Sequence, residues 1–72
     1  MIKEMRDMLE IIEIIEGINR EMRSLYVWQW EQHQTLERTK GNMIRELFTL
    51  AMATGYKVKK NGESFILIAP MR

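Results

Sequence analysis

The sequence predicts an α+β domain, helices first and a β-hairpin last, on three observations. An apolar stripe recurs at spacings of three and four through residues 8–25, a second apolar face follows the Thr-Lys-Gly-Asn segment at 39–42, and Asn61-Gly62 sits between two strand-like runs. The chain of 72 residues is read as one small domain spanning 1–72. A domain of this length buries only about 60% of the surface its unfolded chain exposes, so its margin of stability is thin.

Residues 2 to about 36 carry a helical pattern. Met8, Ile11, Ile15, Ile18, Met22 and Leu25 form an a/d stripe held over about three heptads. Opposite charges four apart (Lys3 with Asp7, Arg6 with Glu10, Glu16 with Arg20) each support a helix by a few tenths of a kcal/mol. This long N-terminal helix has two places where it would break. Gly17 costs about 1 kcal/mol relative to alanine in a helix interior. At Tyr26 to Trp30 the stripe changes character, because the next seam positions are Gln29 and Gln32. That segment also alternates well enough for a short strand, and the sequence leaves helix and strand open there.

Gly41 and Asn42 are the expected end of one helix and cap of the next. A short second helix, 43–54, then carries Ile44, Leu47, Phe48, Ala51 and Met52 on its apolar side, with Gly55 as its left-handed stop and Tyr56 folding back. Asn61-Gly62 calls for a two-residue type I′ turn, which would set Lys60 opposite Glu63, Val58 opposite Phe65 and Tyr56 opposite Leu67. Tyr56, Val58, Phe65 and Leu67 then face the helices, while Lys57, Lys59, Ser64, Ile66 and Ile68 face outward, and Pro70 ends the second strand.

Composition narrows the chemistry. The chain has no cysteine, so disulfides and thiolate metal sites are excluded, and a single histidine leaves too few nitrogen ligands for an ordinary zinc site. No metal and no cofactor are expected. The four glycines are scattered at 17, 41, 55 and 62, which makes no phosphate-cradling loop. His33 has Glu37 four residues on but no nucleophile in an activated context, and reads as a solvated helix residue. Glu10, Glu13 and Glu16 look like paired carboxylates yet fit the wet side of a helix. No catalytic residue is expected. The N-terminus mixes apolar residues with charges, unlike a secretory leader, and no run reaches the roughly 20 apolar residues of a membrane span. A cytoplasmic protein is the expectation.

Several surfaces are candidates for binding. A helix of about 35 residues is roughly 50 Å long, more than a short helix and one hairpin can cover. The stripe of Met8, Ile11, Ile15, Ile18, Met22 and Leu25 is therefore expected to meet a second copy, a homodimer being favoured. Tyr26, Trp28 and Trp30 cannot all enter one small core, and Ile66 and Ile68 lie on the hairpin face away from it. These five form the expected surface for a protein partner, since tryptophan and tyrosine dominate binding hot spots. Charge is uneven as well. Residues 1–36 hold four basic against seven acidic side chains, net −3, and residues 37–72 hold seven against three, net +4.

Arg45, Lys57, Lys59 and Lys60 support an alternative. A short helix followed by a basic hairpin is similar in element order to the recognition helix and wing of winged-helix DNA-binding domains, over about residues 42–69. No motif residues carry that resemblance, and Arg45 is the only base on the would-be recognition helix, where readout needs polar side chains. The acidic polar side of the first helix argues against a role at anionic membranes. The expectation is a small non-enzymatic interaction protein that modulates or inhibits a target, a make-up shared with small regulators of phages and mobile elements.

Overall fold

The computed structural model describes residues 2–70 and has the α+β order expected: helix α1 (Ile2–Arg23), helix α2 (Trp30–Thr54), strand β1 (Lys57–Asn61) and strand β2 (Ser64–Ile68), the strands forming an antiparallel pair. The helices run antiparallel, and the hairpin lies along them with β2 against α1 and β1 against α2. The core is Met8, Ile11, Ile12 and Ile15 of α1 against Leu47 and Ala51 of α2. Met43, Ile44 and Leu50 of α2, with Tyr56, Val58, Phe65 and Leu67 of the hairpin region, close around it. Met8, Ile15 and Leu47 are fully enclosed.

The N-terminal helix breaks at residues 24–29, the later of its two weak places. Arg20 and Arg23 occupy its last turn, where cations favour the negative end of the helix dipole. The Ser24 hydroxyl donates to the Glu21 carbonyl, and aromatic and β-branched residues follow, which lose side-chain freedom in a helix. Residues 26–29 are neither helix nor strand.

The expected break at 39–42 is absent, and a correction follows for the second helix. It is not a short element over 43–54 but a single helix of 25 residues. Gly41 is interior to it, without positive φ. The reason is a stripe at helical spacing, His33, Leu36, Lys40, Met43 and Leu47, that runs through the glycine and turns at least partly inward along its whole length. Burying that stripe outweighs the roughly 1 kcal/mol that an interior glycine costs.

This longer α2 also corrects the expected seam between copies. Met8, Ile11, Ile15 and Ile18 are buried inside the single chain, and Met22 and Leu25 are half-buried, Leu25 beside the start of α2. The shortage of cover that called for a second copy came from taking α2 to be half its real length. The winged-helix order is corrected by the same observation, since residues 30–54 form one helix where a recognition helix would need a preceding turn.

Gly55 ends α2 in the left-handed region at φ 82°, as its position predicts. The hairpin faces are also as expected, but the register is not. Val58 pairs with Leu67, Lys60 with Phe65 and Asn61 with Ser64, so the loop is Gly62-Glu63 rather than Asn61-Gly62. Gly62 has φ 65° and Glu63 does not share that sign, the type II′ pattern with glycine first. Three contacts from α1 hold the loop there. The buried Asn19 side-chain amide donates to the Glu63 carbonyl at 2.7 Å, the Arg23 guanidinium pairs with the Glu63 carboxylate, and the Ser64 hydroxyl donates to Glu16 at 2.8 Å. The pairing moves by two residues, which preserves which side chains face inward.

Two substitutions test this architecture. Gly41→Ala is expected to stabilise the protein by about 0.5–1 kcal/mol, because an added Cβ meets nothing within 4 Å and the helix is continuous. Thermal denaturation followed by circular dichroism reads this as a higher midpoint; a lower one would mean that residue 41 lies in a turn. Leu47→Ala is expected to cost about 2–5 kcal/mol in urea titration, most of the stability of a domain this small.

Candidate functional site

The connection between the helices is built in an unusual way for a turn. The Gln29 amide donates to the Tyr26 carbonyl at 2.9 Å, closing a four-residue turn with Val27 and Trp28 at its two central positions. The Gln29 side chain reaches back, and its Oε1 accepts from the Tyr26 amide at 2.8 Å. Its carbonyl accepts from the His33 amide at 3.1 Å, the first turn of α2. One glutamine thus locks the turn from both sides and joins it to α2.

Such central positions usually carry Gly, Pro, Asn, Asp or Ser. Here they carry Val27, 90% exposed, and Trp28, 70% exposed. Tyr26 and Trp30 beside them are 64% and 60% exposed. The rings of Tyr26 and Trp28 stack with centroids 4.6 Å apart and planes within 3° of parallel. Stacking covers one face of each ring and leaves the others open to solvent. The end of the helical hairpin is therefore an apolar, aromatic tip held on a hydrogen-bonded frame. Leu25, Trp30, His33 and Glu37 line a shallow hollow along its side.

The five residues expected to meet a partner are all exposed, but they belong to two surfaces. Tyr26, Trp28 and Trp30 make the tip. Ile66 and Ile68 sit on the outer face of the hairpin, and Ile68 pairs with Lys57 next to the far end of α2. A helix of 25 residues separates Trp30 from that end, roughly 37 Å. One small contact does not reach both.

The basic residues of the nucleic-acid alternative lie on two elements that touch. Arg45 is on α2, where its guanidinium donates to Asn42 Oδ1 at 2.6 Å, and Lys57, Lys59 and Lys60 are exposed on β1. Glu10 and Glu13 are exposed on α1, and Glu16 accepts the Ser64 hydroxyl. Among the described residues, no helix is long and apolar enough to cross a membrane.

Two residues that shape the tip, and one that holds the hairpin loop, stand outside the residues singled out in the sequence. Val27 carries a signal of its own, a β-branched residue between two aromatics in a segment with no turn former. Gln29 falls at a polar position of the seam in the sequence, and its side-chain amide organises the turn. Asn19, 5% exposed, flanks the apolar stripe and had no signal beyond its place one residue after Ile18.

No family model matches the chain, and no curated protein or solved structure matches it either.

The tip and the core answer differently to truncation. Trp28→Ala is expected to change folding stability by no more than about 0.5 kcal/mol, the usual range for exposed positions. Both indoles should be quenched by acrylamide almost as freely as free tryptophan. A large loss of stability, or shielded emission, would place the tryptophans inside. Asn19→Ala leaves the Glu63 carbonyl without its donor and should cost about 1–3 kcal/mol in the same urea titration.

Proposed function

We propose that this is a small, non-enzymatic cytoplasmic regulator that acts by docking its aromatic tip on a target protein. One observation carries the reading: Val27 and Trp28 occupy the centre of a hydrogen-bonded turn, where the local rules of folding favour small polar residues. Folding gains little from indole and isopropyl groups in water, and places that break local rules without a structural gain are where function is expected.

The energetics suit protein docking. Tryptophan and tyrosine supply large contact areas with few rotatable bonds, and they are enriched among the residues that dominate binding energy. The Gln29 frame and the stacked rings hold the tip in one arrangement before contact, which lowers the ordering cost of association. The complementary surface is an apolar or aromatic cleft wide enough for a helical-hairpin end. Occupying such a cleft would block or bias the target, the regulatory outcome expected of so small a protein.

The test is comparative capture from the native host with wild type and the Trp28→Ala/Trp30→Ala variant, both checked for equal fold by circular dichroism. The target is the protein retained by wild type and lost by the variant. Purified, it should bind wild type with a blue shift of tryptophan emission and bind the variant at least about 30-fold more weakly, a loss of about 2 kcal/mol. Equal retention of every captured protein by the two baits would contradict the docking role of the tip.

A further inference from the structure

Positive charge is concentrated on one side of the molecule. Residues 38–61 hold six basic side chains against one acidic, net +5, and the rest of the chain holds five against nine, net −4. All six but Lys40 are exposed. The fold sets them on α2 and β1, two elements that touch. β1 lies against α2 and β2 against α1, so the hairpin stands between this flank of α2 and the carboxylates of α1.

Direct contacts fix the levels. Phe48 of α2 packs edge-on against Phe65, ring centroids 6.0 Å apart, and Phe65 pairs across the hairpin with Lys60. Cross-strand partners share a face, so Lys60 lies on the helix-facing side of β1 at the level of Phe48. Arg45, three residues before Phe48, is its neighbour on the helix surface, with about 5–6 Å between Cβ atoms. Asn42 Oδ1 accepts from the Arg45 guanidinium at 2.6 Å and holds it in place. Met52, four residues after Phe48, continues the same side of the helix. Phe48 is 43% exposed and Met52 85%, so an open apolar strip lies between Arg45 on one side and Lys60 on the other. Arg38, seven residues before Arg45, extends the α2 border by about 10 Å, and Lys57 and Lys59 add charge from the outer face of β1. The nearby carboxylates are turned away or engaged. Glu46 is about 160° round α2 from Phe48, on the flank opposite the hairpin. Glu37 is eleven residues before Phe48, about 16 Å along the helix, and Glu63 is paired with Arg23.

We infer that this flank binds a single-stranded nucleic acid, with phosphates on Arg38, Arg45 and Lys60 and a base stacked on Phe48 beside Met52. Single strands are held where a positive track for the backbone runs beside aromatic faces on which unpaired bases lie. A duplex keeps its bases in their own stack and would use the charges alone. An anionic lipid surface needs a broader apolar face to bury than Phe48 and Met52 provide. DNA and RNA share the chemistry this flank recognises. The mode differs from that of a winged helix, since no helix enters a groove and no base edge is read. The site is separate from the aromatic tip, and the inference is independent of the docking proposed there.

The experiment is fluorescence anisotropy of labelled oligo-dT and oligo-U, each about twelve nucleotides long, titrated with protein from about 50 to 200 mM salt. Circular dichroism confirms the fold of every variant. Wild type should bind at micromolar concentration in the lowest salt, and its affinity should fall with a log–log slope of about −2, as three phosphate contacts require. Binding of either oligomer supports the inference, and the tighter one names the sugar. Arg45→Ala and Lys60→Ala should each weaken binding and reduce the slope by about 0.7. Phe48→Leu keeps an apolar side chain against Phe65, and should weaken binding at least about fivefold with the slope unchanged. Trp28→Ala/Trp30→Ala should bind as wild type does. No binding in the lowest salt overturns the inference, as does binding that Phe48→Leu or the charge variants leave intact. Tighter binding of a duplex of the same length, or loss of binding in the tip variant, overturns it too. Protein that sediments with phosphatidylserine vesicles and ignores both oligomers would give the flank to a lipid surface and overturn it equally.

Discussion

Packing of the α1 stripe on α2 is the contact on which every other feature of this fold depends. Met8, Ile11 and Ile15 meet Leu47 and Ala51, and Val58, Phe65 and Leu67 of the hairpin close around them. The contact fixes the antiparallel course of the helices. That course places their connection at one end and the hairpin along one side. It also decides which apolar residues are left over, because the inner faces of two helices and one hairpin are filled before the tip and the outer hairpin face are reached.

The hairpin depends on this contact at one remove. A two-stranded sheet is marginal by itself in water. Here Phe65 packs edge-on against Phe48 of α2, ring centroids 6.0 Å apart, while Asn19 and Arg23 of α1 grip the loop. The loop register answers to α1 as much as to its own dipeptide. Asparagine followed by glycine favours a turn of its own, but one hydrogen bond to the Glu63 carbonyl and two further polar contacts hold the loop one residue later.

Signals in which pattern and burial agree were legible from the chain. The α1 stripe, the Gly55 stop and the alternation that sends Val58, Phe65 and Leu67 inward all have this character. The continuity of α2 is hard to read because its inward stripe includes His33 and Lys40, half-buried polar residues that interrupt an apolar pattern without interrupting the helix. With α2 read as short, the stripe on α1 looked uncovered, and a seam between copies followed from that single error of length. The aromatic segment was legible as residues without a place in the core. The turn that presents them was not, since it is organised by a glutamine side chain, and glutamine carries no turn preference to read.

One chain covers its own apolar stripe. The most direct measurement is an isotope-filtered methyl NOE experiment on a sample mixed from labelled and unlabelled protein. Cross-peaks between Ile15 and Leu47 should be strong in the uniformly labelled protein and missing from the spectrum that reports only contacts between chains. The same cross-peaks appearing between chains would mean that each helix finds its cover in another copy, and the intramolecular core described here would be wrong.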